Sequence, residues 1–248
     1  MEAARSIREA VSRVSLLRQA AHARPEVLHA LAEVKRVQAR RFSGTYADLL
    51  SQGPYVAASS FFLQELYSDK DYAERDEQFA RIAGAIERFF PSAVVETAVA
   101  LANLHALTED LDQAMGEAWT RRGPELPIGD ASRYVDAWRD VGRRTDRESQ
   151  LSVVLDIGAR MARLTRTPGL RTLLRMMRGP ATAAGLSSLQ RFLETGFDTF
   201  AAMAKQPGGA EEFLQTIHRR EAALIQMLFD GPVVACETEL GATLGQAR

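Results

Sequence analysis

Between Pro91 and the Gly- and Pro-rich stretch 122–130 lies an unbroken run with helical spacing from Ser92 to Arg121. Its apolar stripe is Val94, Thr97, Leu101, Leu104, Thr108, Leu111, Met115 and Ala118, alternating steps of three and four. At the usual rise per residue such a helix is about 45 Å long. A stripe of that length is stable only when antiparallel neighbours cover it. The rest of the chain carries the same period, with no alternating stretch longer than a few residues and no internal repeat. The expectation is an all-α fold, a multi-helix bundle of about ten helices with no sheet.

Proline and glycine punctuate the bundle. Pro25 suits the first turn of a second helix, and Ser43-Gly44 is expected to interrupt before a short piece at 46–50. Gly53-Pro54 opens the next segment, and Ser68 with Asp71 resembles a helix-start cap. Thr167-Pro168 reads as a cap and first helical position, and Gly179-Pro180 as the end of that helix. Arg122-Gly123-Pro124-Glu125-Leu126-Pro127-Ile128-Gly129-Asp130 is the clearest linker. It divides an N-terminal lobe, 1–122, from a C-terminal lobe, 130–232, the alternative being one compact domain overall. The tail, 233–248, lacks a long pattern and is expected to fray.

Composition narrows the class. Hydrophobic residues at 46% and charged residues at 25% suit a folded globular chain. A net charge of −1 predicts no global attraction to nucleic acid or membrane. A single cysteine, Cys236, suits a reducing compartment. With no signal-peptide pattern and no run of transmembrane length, the expected location is the cytoplasm.

The densest aromatic patch is Phe61-Phe62-Leu63-Gln64-Glu65-Leu66-Tyr67. On a helical wheel most of its circumference is apolar, so the helix should be buried among others. Glu65 falls beside Phe61 and Phe62, where a carboxylate must find a cation or hold its proton. Arg75 lies within the stripe of the following helix. Two readings stand: a structural Glu65–Arg75 ion pair, or a tuned acid in a site formed by Phe61, Phe62, Glu65, Tyr67 and Arg75.

Arg41-Phe42, Thr45-Tyr46-Ala47-Asp48-Leu49-Leu50, the Phe61–Tyr67 motif and Arg75-Asp76 together resemble the bacterial family named for an FFLEELY motif. The resemblance covers about residues 40–115, with Gln64 where the name has glutamate. It implies a bacterial origin and carries over no catalytic residue.

Other constellations point to little chemistry. Glu26 and His29 have di-iron ligand spacing, but His105 and His218 lack the matching glutamate. Both histidines read as hydrogen-bonded groups at a core edge, and Cys236 as incidental. Glu109-Asp110, Asp112 and Glu117 read as a solvated acidic face. No Gly-x-Ser-x-Gly elbow, P-loop or dinucleotide glycine motif occurs, and no metal or cofactor is expected. Between Ile157 and Leu193 there are seven arginines and no acid. There Leu170, Leu173, Leu174 and Met177 make one helix face, and Arg171, Arg175 and Arg178 the other. Such a helix can meet an acidic ligand, an anionic lipid or a protein partner, or its arginines can pair with acids from 109–117 or 136–148. Aromatic interleaving is missing, so no nucleic acid is expected. The expected function is that of a non-enzymatic bacterial interaction or regulatory protein, acting on a partner or on its own copies. The alternative is a lipid- or tetrapyrrole-binding protein with an apolar pocket near Phe61–Tyr67.

Overall fold

The computed structural model describes residues 2–65, 72–121 and 129–247, and those residues form helices and no strand. In chain order they are α1 (Glu2–His22), α2 (Pro25–Thr45), α3 (Ala47–Ser51), α4 (Val56–Glu65), α5 (Ala73–Phe89) and α6 (Ser92–Arg121). Then follow α7 (Asp130–Val141), α8 (Arg144–Leu164), α9 (Leu170–Met176), α10 (Arg178–Ala183), α11 (Ser187–Met203), α12 (Gly209–Asp230) and α13 (Val233–Gly245). The all-α expectation holds. The proposed Ser68 cap and most of the 122–130 linker lie outside the described residues. Among the described residues no helix is long and apolar enough to cross a membrane.

The chain forms two compact units, and they do not follow the lobes expected on either side of the linker. Unit 1 comprises Met1–Ser15, Lys70–Ala106 and Val153–Gln215; unit 2 comprises Leu16–Asp69, Leu107–Ser152 and Thr216–Arg248. The division falls inside α1, α6, α8 and α12, because a long helix can supply one stretch of its stripe to each of two cores.

In unit 1, Ile7, Val14, Phe79, Ala83, Ile86, Ala102 and Leu189 close a core of small and large side chains. A second cluster joins Leu164, Leu170 and Phe197. Gln78, 1% exposed, ties α5 to α11: its Oε1 accepts the Leu189 backbone N–H at 2.9 Å. That amide belongs to the first turn of α11, which has no acceptor within its own helix, so a side chain from another helix caps it. Pro168 precedes α9 rather than opening it; Gly169 at φ 77° is the residue before the first turn. Gly179 and Pro180 sit in the first turn of α10, where a proline has no helical N–H to forfeit.

In unit 2, Val34, Val37, Met115, Trp119, Tyr134, Val135, Trp138 and Leu228 make the core. The expectation of a fraying tail is corrected here: 233–245 is helical, and Cys236, Leu240 and Leu244 are buried in that same core. A thirteen-residue helix with a small buried face shows no long stripe, which is why its pattern is faint in sequence. Gly44 does not interrupt α2. A Cβ built there would lie 1.9 Å from the Thr243 carbonyl oxygen, so glycine allows α13 to approach α2.

Candidate functional site

The aromatic motif is a packing element. Phe61 and Phe62 are buried, with ring centroids 6.3 Å apart at 73°, an edge-to-face contact. Gln64 and Ala57 make the thin exposed side of α4. Glu65 is half-buried in the last turn of α4, and Tyr67 lies outside the described residues. Arg75 holds its guanidinium 3.9 Å over the Tyr72 ring and 4.4 Å over Phe192. Glu65 and Arg75 belong to different units, and their pairing stays an expectation of the sequence.

The histidines separate. His105 shares a 2.9 Å hydrogen bond with buried Asp76, as a core-edge histidine should. His218 and His29 are exposed, and Glu26 lies 3.6 Å from Arg24. Cys236 is a buried core thiol: it donates to the Met227 carbonyl at 3.1 Å and accepts from Arg139 Nη2 at 3.4 Å.

The basic segment divides into paired and unpaired arginines. Arg171 grips Asp198 through two hydrogen bonds, at 2.8 and 2.6 Å, and Arg178 grips Glu194 in the same bidentate way. The acids therefore come from α11 and not from 109–117 or 136–148. Arg178 holds the Glu194 carboxyl well below its usual range, at about 2, with help from Gln190. Arg171 likewise lowers Asp198. Arg163, Arg166, Arg175 and Arg191 are exposed and have no ion pair among the described residues. Beside Arg175, Met176 is 70% exposed. Leu170 is buried, and Leu173 and Leu174 pack on the same cluster.

Unit 2 holds a buried polar seam that helical periodicity did not anticipate. Along one face of α2, Lys35, Gln38 and Arg41 follow one another at i, i+3 and i+6. Lys35 Nζ donates to Glu109 Oε1 at 2.9 Å, and Gln38 Nε2 donates to Asp112 Oδ1 at 2.9 Å. Arg41 Nη1 and the Tyr46 hydroxyl both donate to Glu221 Oε1, at 2.5 and 2.8 Å. Beside them Arg220 bonds both carboxylate oxygens of Asp48 at 2.7 Å, which lowers that acid. From α8, Arg147 stacks 4.4 Å over the Trp138 ring and donates to Gln150 at 3.3 Å.

Glu109 and Asp112, expected on a solvated face, are thus buried. No position from Leu104 to Thr120 is exposed, so α6 has no solvated face there. Burial pushes the Asp112 carboxyl up; Lys35 opposes that rise, Glu109 adds to it, and Arg147 opposes it again. Burial alone would lower Lys35, but Asp112 and Glu109 outweigh it and raise the ammonium. Burial also raises Tyr134. One sequence signal was available. Neither Glu109 nor Asp112 has a Lys or Arg three or four residues away on its own helix, so each needs a cation or donor from another.

The fold and these sites define an all-helical protein with exposed arginines that have no ion pair among the described residues, and with a buried polar seam. The chain belongs to the family described as a domain of unknown function (DUF8198), whose model matches residues 17–234. No curated protein matches it, and no solved structure does.

Proposed function

We propose that the chain is an interaction protein, not an enzyme, and that it docks an acidic protein segment on the α9 face of unit 1. The observation that carries this reading is Arg175, exposed and without an ion pair among the described residues, beside the 70%-exposed Met176. Arg171 and Arg178 flank it, each held in place by an α11 carboxylate. An exposed methionine among arginines suits a partner helix that offers apolar and acidic side chains together. An anionic membrane fits less well. The leucine face that an interfacial helix would insert is already committed to the core through Leu170, Leu173 and Leu174. A pocket beside Phe61 and Phe62 has less support too, since both rings are buried against one another. A bacterial, cytoplasmic setting is supported by the likeness of residues 40–115 to the FFLEELY-motif family and by the single cysteine.

The test is quantitative affinity capture with the wild type and with an Arg175→Glu/Met176→Asp variant of unchanged helicity and melting temperature. The expected result is an acidic protein held by the wild type, released by salt and lost from the variant. Equal capture by both proteins would reject the α9 face, and flotation of the wild type with phosphatidylserine vesicles would replace the protein partner by lipid.

A further inference from the structure

Two neighbouring buried donors of unit 2, Arg147 Nη2 and Trp138 Nε1, have no acceptor among the described residues. Arg147, in the first turn of α8, is 6% exposed, and its Nη2 has no acceptor among the described residues. Trp138, also 6% exposed, has no acceptor for its indole Nε1. The two groups touch, with the guanidinium carbon 4.4 Å over the indole ring. Buried donors in folded proteins are nearly always bonded, and an unmet charged donor is among the costlier defects a core can hold. Asp112 acts on Arg147 through its charge but makes no hydrogen bond with it. Its Oδ1 accepts from Gln38, while Glu109 accepts from Lys35.

We propose that Arg147 Nη2 and Trp138 Nε1 together bind one small planar oxyanion, a short monocarboxylate or nitrate, inside unit 2. Both groups only donate, so the guest must accept; one of them is a cation, so a negative guest is favoured. A guanidinium stacked over an indole sets its N–H groups on a different level from the indole N–H. Two oxygens of one planar ion can accept from both groups, and the guanidinium charge favours such an ion over a neutral water. Of the nearby carboxyls, Glu109 is compensated by Lys35, and burial raises Asp112. The Tyr134 ring, 3% exposed, lies 6.0 Å from that of Trp138 and keeps solvent from this side.

The chain has two tryptophans, so protein labelled with 15N-tryptophan gives two indole signals, and Trp138→Phe assigns them. Dialysed full-length protein is titrated with sodium formate and with sodium nitrate, at an ionic strength held constant with sulfate. The expected result is a saturable shift of the Trp138 signal while Trp119 stays still, and a rise in melting temperature with the same midpoint. Trp138→Phe should weaken that midpoint about tenfold, the scale of one charge-assisted hydrogen bond. Arg147→Gln should abolish the effect, and the control Arg5→Gln, at an exposed position of α1, should leave it unchanged. Should Arg147→Gln fail to fold, Trp138→Phe still decides. A midpoint unaltered by Trp138→Phe, a shift lost equally in Arg5→Gln, or no saturable response to either anion would overturn the site.

Discussion

Glu221 shows how much one side chain can hold together in this chain. Its Oε1 accepts from both Arg41 and Tyr46, residues 180 and 175 positions away. Glu221→Gln keeps the shape and removes the charge that both donors address. Equilibrium urea unfolding should show a loss on the order of 3 kcal/mol, the scale for deleting one member of a buried ion pair. A change within experimental error would contradict a buried pair. Asp112 makes a prediction with a defined sign. Its folded carboxyl is raised above the ordinary 3.8, so the stability it contributes is full below pH 3.8 and is lost as pH climbs through the raised value. Relative to wild type, Asp112→Asn should therefore gain stability as pH rises above about 4. An offset constant from pH 4 to 8 would refute the burial. These residues were the least legible in sequence. Glu109 and Asp112 look like surface acids because the groups that accommodate them, Lys35, Gln38 and Arg147, stand on other helices. Periodicity reports a residue's own helix and is silent about partners far along the chain.

Among the helices, the long ones and the short α3 were readable, and α13 was not. The run from Ser92 to Arg121 is helix α6 as its spacing predicts, and Pro25 opens α2. Their patterns persist over several turns, so the period is unambiguous. By contrast α13 has three buried side chains in thirteen residues, too few to stand out. Its seat depends on Gly44, so Gly44→Ala drives a methyl into the Thr243 carbonyl and must displace the helix. Hydrogen exchange at 233–245 should quicken severalfold or more, with a stability loss of about 1–3 kcal/mol, the usual cost of overpacking. Unchanged exchange there would show that the approach is not close. The clamp between α10 and α11 has an acid-side signature. Glu194 titrates at about 2 in the fold and near 4.5 when unfolded. Its contribution is present above pH 4.5 and is lost as pH falls through 2. Glu194→Gln should flatten the acid limb of the stability curve in that window; an unchanged limb would mean that the Arg178 pair adds nothing.

At the scale of the whole chain, composition and period settled the all-α class, but the linker misplaced the division. Compact units follow which stripes share a core, and a stripe on a long helix can change partners midway without any break in sequence. The candidate site was half legible. Seven arginines without an acid between Ile157 and Leu193 marked the basic segment, yet Glu194 and Asp198 lie just beyond it and pair with Arg178 and Arg171. That leaves Arg175 with Met176 as the exposed pair on α9, and the interaction reading stands on it. The most direct measurement is native mass spectrometry of the tagged protein recovered from cells, with the Arg175→Glu variant beside it. The wild type should carry a second, acidic polypeptide above its own 27.3 kDa, while the folded variant appears alone. The same bare mass for both proteins, or a lipid adduct on the wild type, would contradict the interaction reading.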